Sequence, residues 1–282
     1  MHRILIAVLA LALPALATAQ TAALDKIRST KVVNMAYRTD ALPFSYKDEK
    51  GQPAGYTVEL CKRIAASMQS QLNIPDLKIR WVEATSQNRF ALIETREADM
   101  ECGATTATLK RMEQVDFSSY VFVDSTGVLA RVASGVRKFS DLAGKRIAVI
   151  AGTTNETALK AALERALINA VVVPQPSRGA ATAALVNGTV DAFASDKILL
   201  EGLSLKIKDT SKYGMLPDNL SIEPYAIMLP RGESALRLEV NRGLSKVFSS
   251  AAIKEIFGRT FGSDAEPTSL LRALYMIGFI PD

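Results

Sequence analysis

Apolar residues along this chain change spacing in a regular order. KVVNMAY, residues 31–37, reads as a strand. GYTVELCKRIAASM then sets Val58, Cys61, Ile64, Ala65 and Met68 at helical spacing. LKIRWVEA alternates as a strand does, and SQNRFALIETREA is expected to open a helix on Ser86, a favourable N-cap residue, with Phe90, Ile93 and Ala98 roughly along one face. DMECGA closes the series as a short strand. The order strand, helix, strand, helix, strand implies a parallel sheet covered by helices.

The pattern then restarts. GVLARV and Arg146–Ile150 read as strands, a Gly-Thr-Thr turn leads into a helix from about Asn155, and AVVVPQP is a further strand. RGAATAALVNG is a helix stopped at Asn187-Gly188, VDAFASD is a strand, and KILLEGL begins another helix. EPYAIMLP is a late strand, followed by the amphipathic helices SALRLEVNRGLSKVFSS and AAIKEIFGRTF, which lack a sheet of their own and are expected to pack on the first unit. The expected organisation is therefore α/β and two-lobed. Residues 20–123 and 226–282 form one discontinuous lobe, residues 124–225 form the other, and two crossings near 121–128 and 220–228 act as a hinge. A cleft between such lobes is a common ligand position.

Composition narrows the function. Met1-His2-Arg3, an apolar run from Ile4 to Leu16 and Ala17-Thr18-Ala19 match a secretory signal cleaved after Ala19. The chain is thus expected to be periplasmic, and no cysteine follows the cleavage site to carry a lipid. Cleavage removes Arg3 and His2, leaving 34 − 1 = 33 basic against 29 acidic residues, a dispersed +4 with no cluster suited to nucleic acid. His2 is the single histidine. Its loss excludes a Ser-His-Asp triad, a Cys-His pair and a histidine-ligated zinc site. Neither a metal nor a cofactor is expected. Cys61 and Cys102 are open to two readings, a disulfide or a pair of buried thiols.

Ligands of open parallel sheets bind beyond the carboxyl ends of the strands. The residues there are Arg38, Ser86 and Arg89, then Ala104, Thr105 and Thr106 with Arg111 slightly beyond. In the second unit they are Gly152, Thr153 and Thr154, then Ser177 and Arg178, then Ser195 and Asp196. Arginine forks match carboxylates, threonine hydroxyls and helix starts favour anions, and Asp196 offers a partner to an ammonium. The set suits a small zwitterion, most simply an amino acid. Each residue also has an ordinary reading: Thr153-Thr154 and Asp196 as helix caps, Arg38, Arg89 and Arg111 as solvated surface charges.

LPFSYKDEKGQPAGYTVELCKRI (42–64), PDLKIRWVEATSQNRFALIE (75–94), ADMECGATTATLKRMEQVDFS (98–118), DLAGKRIAVIAGTTNE (141–156) and EPYAIMLP (223–230) together resemble the periplasmic solute-binding proteins of polar-amino-acid ABC importers, above all the glutamate/aspartate branch. The resemblance implies a flytrap of two lobes, acting as a monomer beside a membrane permease. It implies that Arg111 holds the ligand's α-carboxylate with help from Thr106, Thr153 and Thr154, and that Asp196 takes the α-ammonium. It gives Arg38, Ser86 and Arg89 the remaining polar groups, including a side-chain carboxylate, and a disulfide to Cys61 and Cys102. Two positions depart from the pattern. Ala104 stands where serine is usual, and Arg178 near a position where histidine or another polar residue is common. The competing expectations are a dehydratase-like enzyme on the same scaffold, with Asp196 as its acid, and a sensor module for a partner receptor. The arginines around Asp196 are expected to keep it ionised, which counts against the enzyme.

Overall fold

Two five-stranded sheets, each with helices on both faces, set the frame of the computed structural model, which describes residues 21–204, 207 and 209–281. The expected signal sequence and its cleavage point lie outside the described residues. Helix α1 (Ala22–Thr30) leads into β1 (Val32–Arg38). A small three-stranded sheet of β2 (Asp40–Ala41), β3 (Ser45–Lys47) and β4 (Pro53–Ala54) follows, then α2 (Tyr56–Gln71), β5 (Lys78–Ala84), α3 (Arg89–Glu94) and β6 (Met100–Glu101). β7 (Val115–Asp124) ends this part of the chain.

The second sheet comprises β8 (Thr126–Arg131), β9 (Arg146–Ile150), β10 (Val171–Gln175), β11 (Ala192–Asp196) and β12 (Tyr213–Met215). Helices α4 (Thr154–Arg165), α5 (Arg178–Val186) and α6 (Lys197–Ser204) lie between its strands in sequence. The chain then returns to the first sheet as β13 (Glu223–Pro230) and finishes with α7 (Ser234–Phe248), α8 (Ala252–Phe261) and α9 (Ser269–Gly278).

The first sheet has the order β5-β1-β6-β13-β7. β1 is parallel to β5 and β6, whereas β13 is antiparallel to β6 and β7. Strand periodicity decides which side chains face which layer. Met35 joins Ile64, Leu236 and Val240 under α2 and α7, while its neighbour Ala36 faces Ile93 of α3 on the opposite side. In the second sheet, order β10-β9-β11-β8-β12, Ala194 packs with Leu159 of α4 and Phe193 with Leu185 of α5.

Two expectations need correction. Ser86 does not cap a helix: α3 starts at Arg89 with Asn88 in the cap position, and the backbone N–H and hydroxyl of Thr85 both bond the Asn88 carboxamide oxygen (2.7 and 3.1 Å). That turn takes Ser86 out of the helix and leaves its hydroxyl to Arg38 (2.8 Å). The antiparallel strand β7 and helix α9 are also absent from the sequence reading. The burial of β7 breaks strict alternation, and its register with β13 shifts at Tyr225/Ala226 and again at Ala226/Met228, which blurs a period of two.

Cys61 of α2 and Cys102, just after β6, are joined by a disulfide inside the first lobe's core, 41 residues apart in sequence. This decides between the two readings of the cysteine pair. A crosslink over a loop of that length removes roughly 4 kcal/mol of unfolded-chain entropy in the simplest treatment. The double substitution Cys61→Ala/Cys102→Ala is therefore expected to lower unfolding stability by about 2–4 kcal/mol in denaturant titrations without changing the fold.

The passage from β7 to β8 is held by Asp124. Its carboxylate accepts from the Ser125 N–H (2.8 Å), from the Ile198 N–H at the start of α6 (3.1 Å) and from the Tyr225 hydroxyl (3.3 Å). Burial, and then the nearby Asp196 carboxylate, push Asp124 up from 3.8 to about 7. Between those values the folded protein keeps a proton that the unfolded chain has released. The stability from this group is full below about pH 4 and is lost as pH rises through 7. Relative to Asp124→Asn, the wild type is expected to lose unfolding midpoint steadily from pH 4 to pH 8 in calorimetric scans. A constant gap between the two proteins across that range contradicts the assignment.

Candidate functional site

Where the carboxyl ends of the two sheets face each other, nine of the fourteen strand-end residues set out from the sequence line one cavity. They are Arg38, Ser86, Arg89, Ala104 and Thr106 from the first lobe, and Thr153, Thr154, Arg178 and Asp196 from the second. Ile150, Asn155 and Leu199 complete the wall. The convergence follows from topology: each residue lies at the end of a strand, in the loop after it, or at the start of the next helix.

Three arginines are buried here. Arg38, at the end of β1, spans to Asp40 through Nε (3.1 Å) and Nη2 (2.6 Å), and Nη2 also reaches Ser86. Arg89, the first residue of α3, donates Nη1 to the Thr105 hydroxyl (3.1 Å), which in turn donates to Glu101 (2.8 Å). Arg178, the first residue of α5, donates Nη1 to Ser195 (3.1 Å) and lies 6.0 Å from the Phe193 ring. The Nε groups of Arg89 and Arg178 are buried without a hydrogen-bond partner. Burial, and then the like charges of Arg38 and Arg111, lower Arg89 to about 9; burial, and then Arg38, lower Arg178. Both remain cations at neutral pH, but cations held at a cost that an anion would relieve.

Arg111 stands one step behind the cavity. Its Nη1 donates to the Thr106 carbonyl (2.7 Å), its guanidinium lies 5.2 Å from the Phe90 ring, and it lines the adjoining interlobe groove together with Glu223. Burial lowers Arg111, while Glu223 and Asp196 act in the other direction. It is thus not a freely solvated charge.

The acids lie on the opposite side. Asp196, at the end of β11, is raised by burial and then by Glu223; Arg178 and a bond from Asn155 (3.3 Å) offset this only in part. The arginines expected to hold Asp196 in its ionised form are thus opposed first by burial and then by the Glu223 carboxylate. An arriving ammonium would favour the charged form.

Glu223, buried at the start of β13, was not among the residues singled out, although the sequence offered a signal in an acid placed directly before a strand. One of its oxygens accepts from both the Thr106 hydroxyl (2.5 Å) of the first lobe and the Thr154 hydroxyl (2.7 Å) of the second. The other accepts from Ser221 (2.5 Å) and Thr126 (3.1 Å). A hydroxyl has one proton. With both protons turned to Glu223, Thr106 and Thr154 offer the cavity lone pairs, which suit a donor such as an ammonium. Thr153 is engaged as the N-cap of α4, accepting from the Glu156 N–H (3.3 Å) and donating to the Ile150 carbonyl (2.7 Å), as its ordinary reading supposed. Glu101 was missed too. Its side chain is fully buried in β6, and a Cβ at Gly103 would stand 2.0 Å from its Oε1, so any larger residue there would displace the carboxylate. Among the described residues no group of histidines, cysteines or acids is arranged to hold a metal ion.

Comparison with known proteins agrees with this architecture. Residues 33–263 match the model of the bacterial extracellular solute-binding proteins, family 3. The chain is 31% identical to an L-glutamate/L-aspartate-binding protein of Pseudomonas aeruginosa over 92% of this chain and 86% of that one. It is 31% identical to a glutamate/aspartate import solute-binding protein of Escherichia coli, over 94% and 90% respectively. A mutant of ArgBP from T. maritima superimposes with a TM-score of 0.74 at 24% identity, covering 85% of this chain and 99% of that one, which bears on the fold alone. The two curated relatives are named for binding and import, not for catalysis. The chain, two-lobed and with its polar residues gathered between the lobes, belongs to the bacterial extracellular solute-binding proteins of family 3.

Proposed function

We propose that this protein captures an acidic amino acid, glutamate or aspartate, in the interlobe cavity and delivers it to the permease of an ABC importer, working as an exported monomer after cleavage behind Ala19. The observation that carries the reading is the pair of buried, unpartnered arginine Nε groups of Arg89 and Arg178 in the same cavity as the carboxylate of Asp196. Cations without an anion at one end and an acid at the other describe a zwitterion with a further carboxylate. The names of the relatives from Pseudomonas aeruginosa and Escherichia coli support the same ligands.

In this reading the α-ammonium donates to Asp196 and to the lone pairs of Thr106 and Thr154. The α-carboxylate faces Arg111 and the start of α4. Arg38, Ser86, Arg89 and Arg178 surround the side-chain carboxylate, and Ala104 leaves room where a hydroxyl would otherwise stand. The lobes, residues 20–123 with 226–282 and residues 124–225, turn on the two crossings. The ligand first meets Arg111 and Thr106, after which Thr154 and Asp196 close on it, so binding shifts the population toward the closed form.

Titration calorimetry against glutamate, aspartate and glutamine tests the roles. Arg111→Ala is expected to abolish binding of all three, since a ligand carboxylate would be buried without its cation. Arg89→Ala is expected to weaken glutamate and aspartate by roughly 10- to 150-fold, the worth of one charge-assisted bond, while changing glutamine far less. Unchanged affinity in Arg111→Ala refutes the head-group assignment. Mass spectrometry of the small molecule released on mild unfolding is expected to find a dicarboxylic amino acid.

A further inference from the structure

A second, larger hollow adjoins the cavity. Arg178 and Leu199 line both spaces. The hollow lies between the loop after β1 and helices α5 and α6. Its walls beyond the shared residues are largely apolar, with Leu42, Ala183, Val186 and Leu203. The lobes touch at this face of the molecule, because a Cβ at Gly202 would stand 2.4 Å from the Leu42 carbonyl oxygen. The hollow is therefore a feature of the lobes in contact, and it shares the Arg178 and Leu199 wall with the candidate ligand cavity.

The placement of the charges across the two spaces carries the argument. Arg89 and Ser86 line only the inner cavity, whereas Arg178 lines both. Asp40, the acid on the hollow's rim, is already paired with Arg38. A ligand that filled both spaces would present an acceptor near Arg89, an anion at Arg178 and an apolar group beyond it.

We infer that the cavity and the hollow together take a γ-glutamyl dipeptide whose second residue is apolar. Its glutamyl head lies as in the proposed function, on which this inference rests. The amide carbonyl accepts from Arg89 or Ser86, the terminal carboxylate faces the free Nε of Arg178, and the apolar side chain lies against Ala183, Val186 and Leu203. A plain glutamate leaves the hollow to water.

Titration calorimetry with L-glutamate, γ-L-glutamylglycine and γ-L-glutamyl-L-leucine tests this. The leucine dipeptide is expected to bind at least tenfold more tightly than the glycine dipeptide. Ala183→Phe, which fills the hollow from an exposed helix position, is expected to weaken the leucine dipeptide at least tenfold and leave glutamate within twofold, glutamate serving as the check on folding. Binding of glutamate without binding of the leucine dipeptide overturns the inference and leaves the proposed function standing. So does equal affinity for the two dipeptides, or an Ala183→Phe variant that binds the leucine dipeptide as the wild type does. Binding of neither glutamate nor dipeptide overturns both.

Discussion

A buried charge must find an opposite charge or a full set of hydrogen bonds, and this requirement governs the space between the lobes. Arg38, Arg89 and Arg178 are buried there, and so are Glu101, Asp196 and Glu223. The pairing among them is incomplete: the Nε groups of Arg89 and Arg178 and one oxygen of Glu101 have no hydrogen-bond partner. Arg38 has Asp40, and Arg89 reaches Glu101 only through the Thr105 hydroxyl. Arg178 has a serine. An isolated guanidinium in such a place is a poor contributor to stability, and a carboxylate arriving from solution supplies what the chain withholds. The cavity is thus better matched to an occupant than to itself.

Glu223 links this electrostatic arrangement to the joint between the sheets. A single carboxylate oxygen holds hydroxyls from both lobes. The chain Ser221, Glu223, Thr126, Asn155 and Asp196 runs without a break from the returning crossing to the carboxylate in the cavity. The hydroxyls that join the lobes through Glu223 also line the cavity, so in the proposed reading closure and recognition use the same atoms.

Much of this was legible in the sequence. The strand and helix order, the discontinuous first sheet and nine of the cavity's wall residues follow from apolar spacing and from the rule that strand ends meet the ligand. What was not legible has physical causes. β7 carries bulged pairing with β13, so its period is broken. Ser86 looked like a helix cap because Ser, Thr and Asn are interchangeable in that role, and the turn closed by Asn88 moved the helix start three residues on. Glu101 and Glu223 sit within strands, where an acid reads as a surface residue, yet Glu101 is buried inside the first lobe and Glu223 is met by hydroxyls of the second. The direction of the hydroxyl protons of Thr106 and Thr154 depends on a carboxylate more than a hundred residues from Thr106 in the chain and cannot be read from local pattern.

Arg178 makes the case for a ligand most sharply, because three effects count against it. It is buried, it faces Arg38, and it occupies the first turn of α5, where the helix dipole disfavours a cation. The Phe193 ring and the more distant acids Asp40 and Asp196 return only part of that cost. A neutral side chain at this point would be easier to fold around. An anion bound beside the guanidinium changes the sign of the balance, since the same dipole that repels the arginine attracts the anion, and the desolvated environment that weakens the lone cation strengthens the pair. The position is costly when the cavity holds only water and favourable when it holds a carboxylate, so the cost of the lone guanidinium would become a source of affinity for an anionic group.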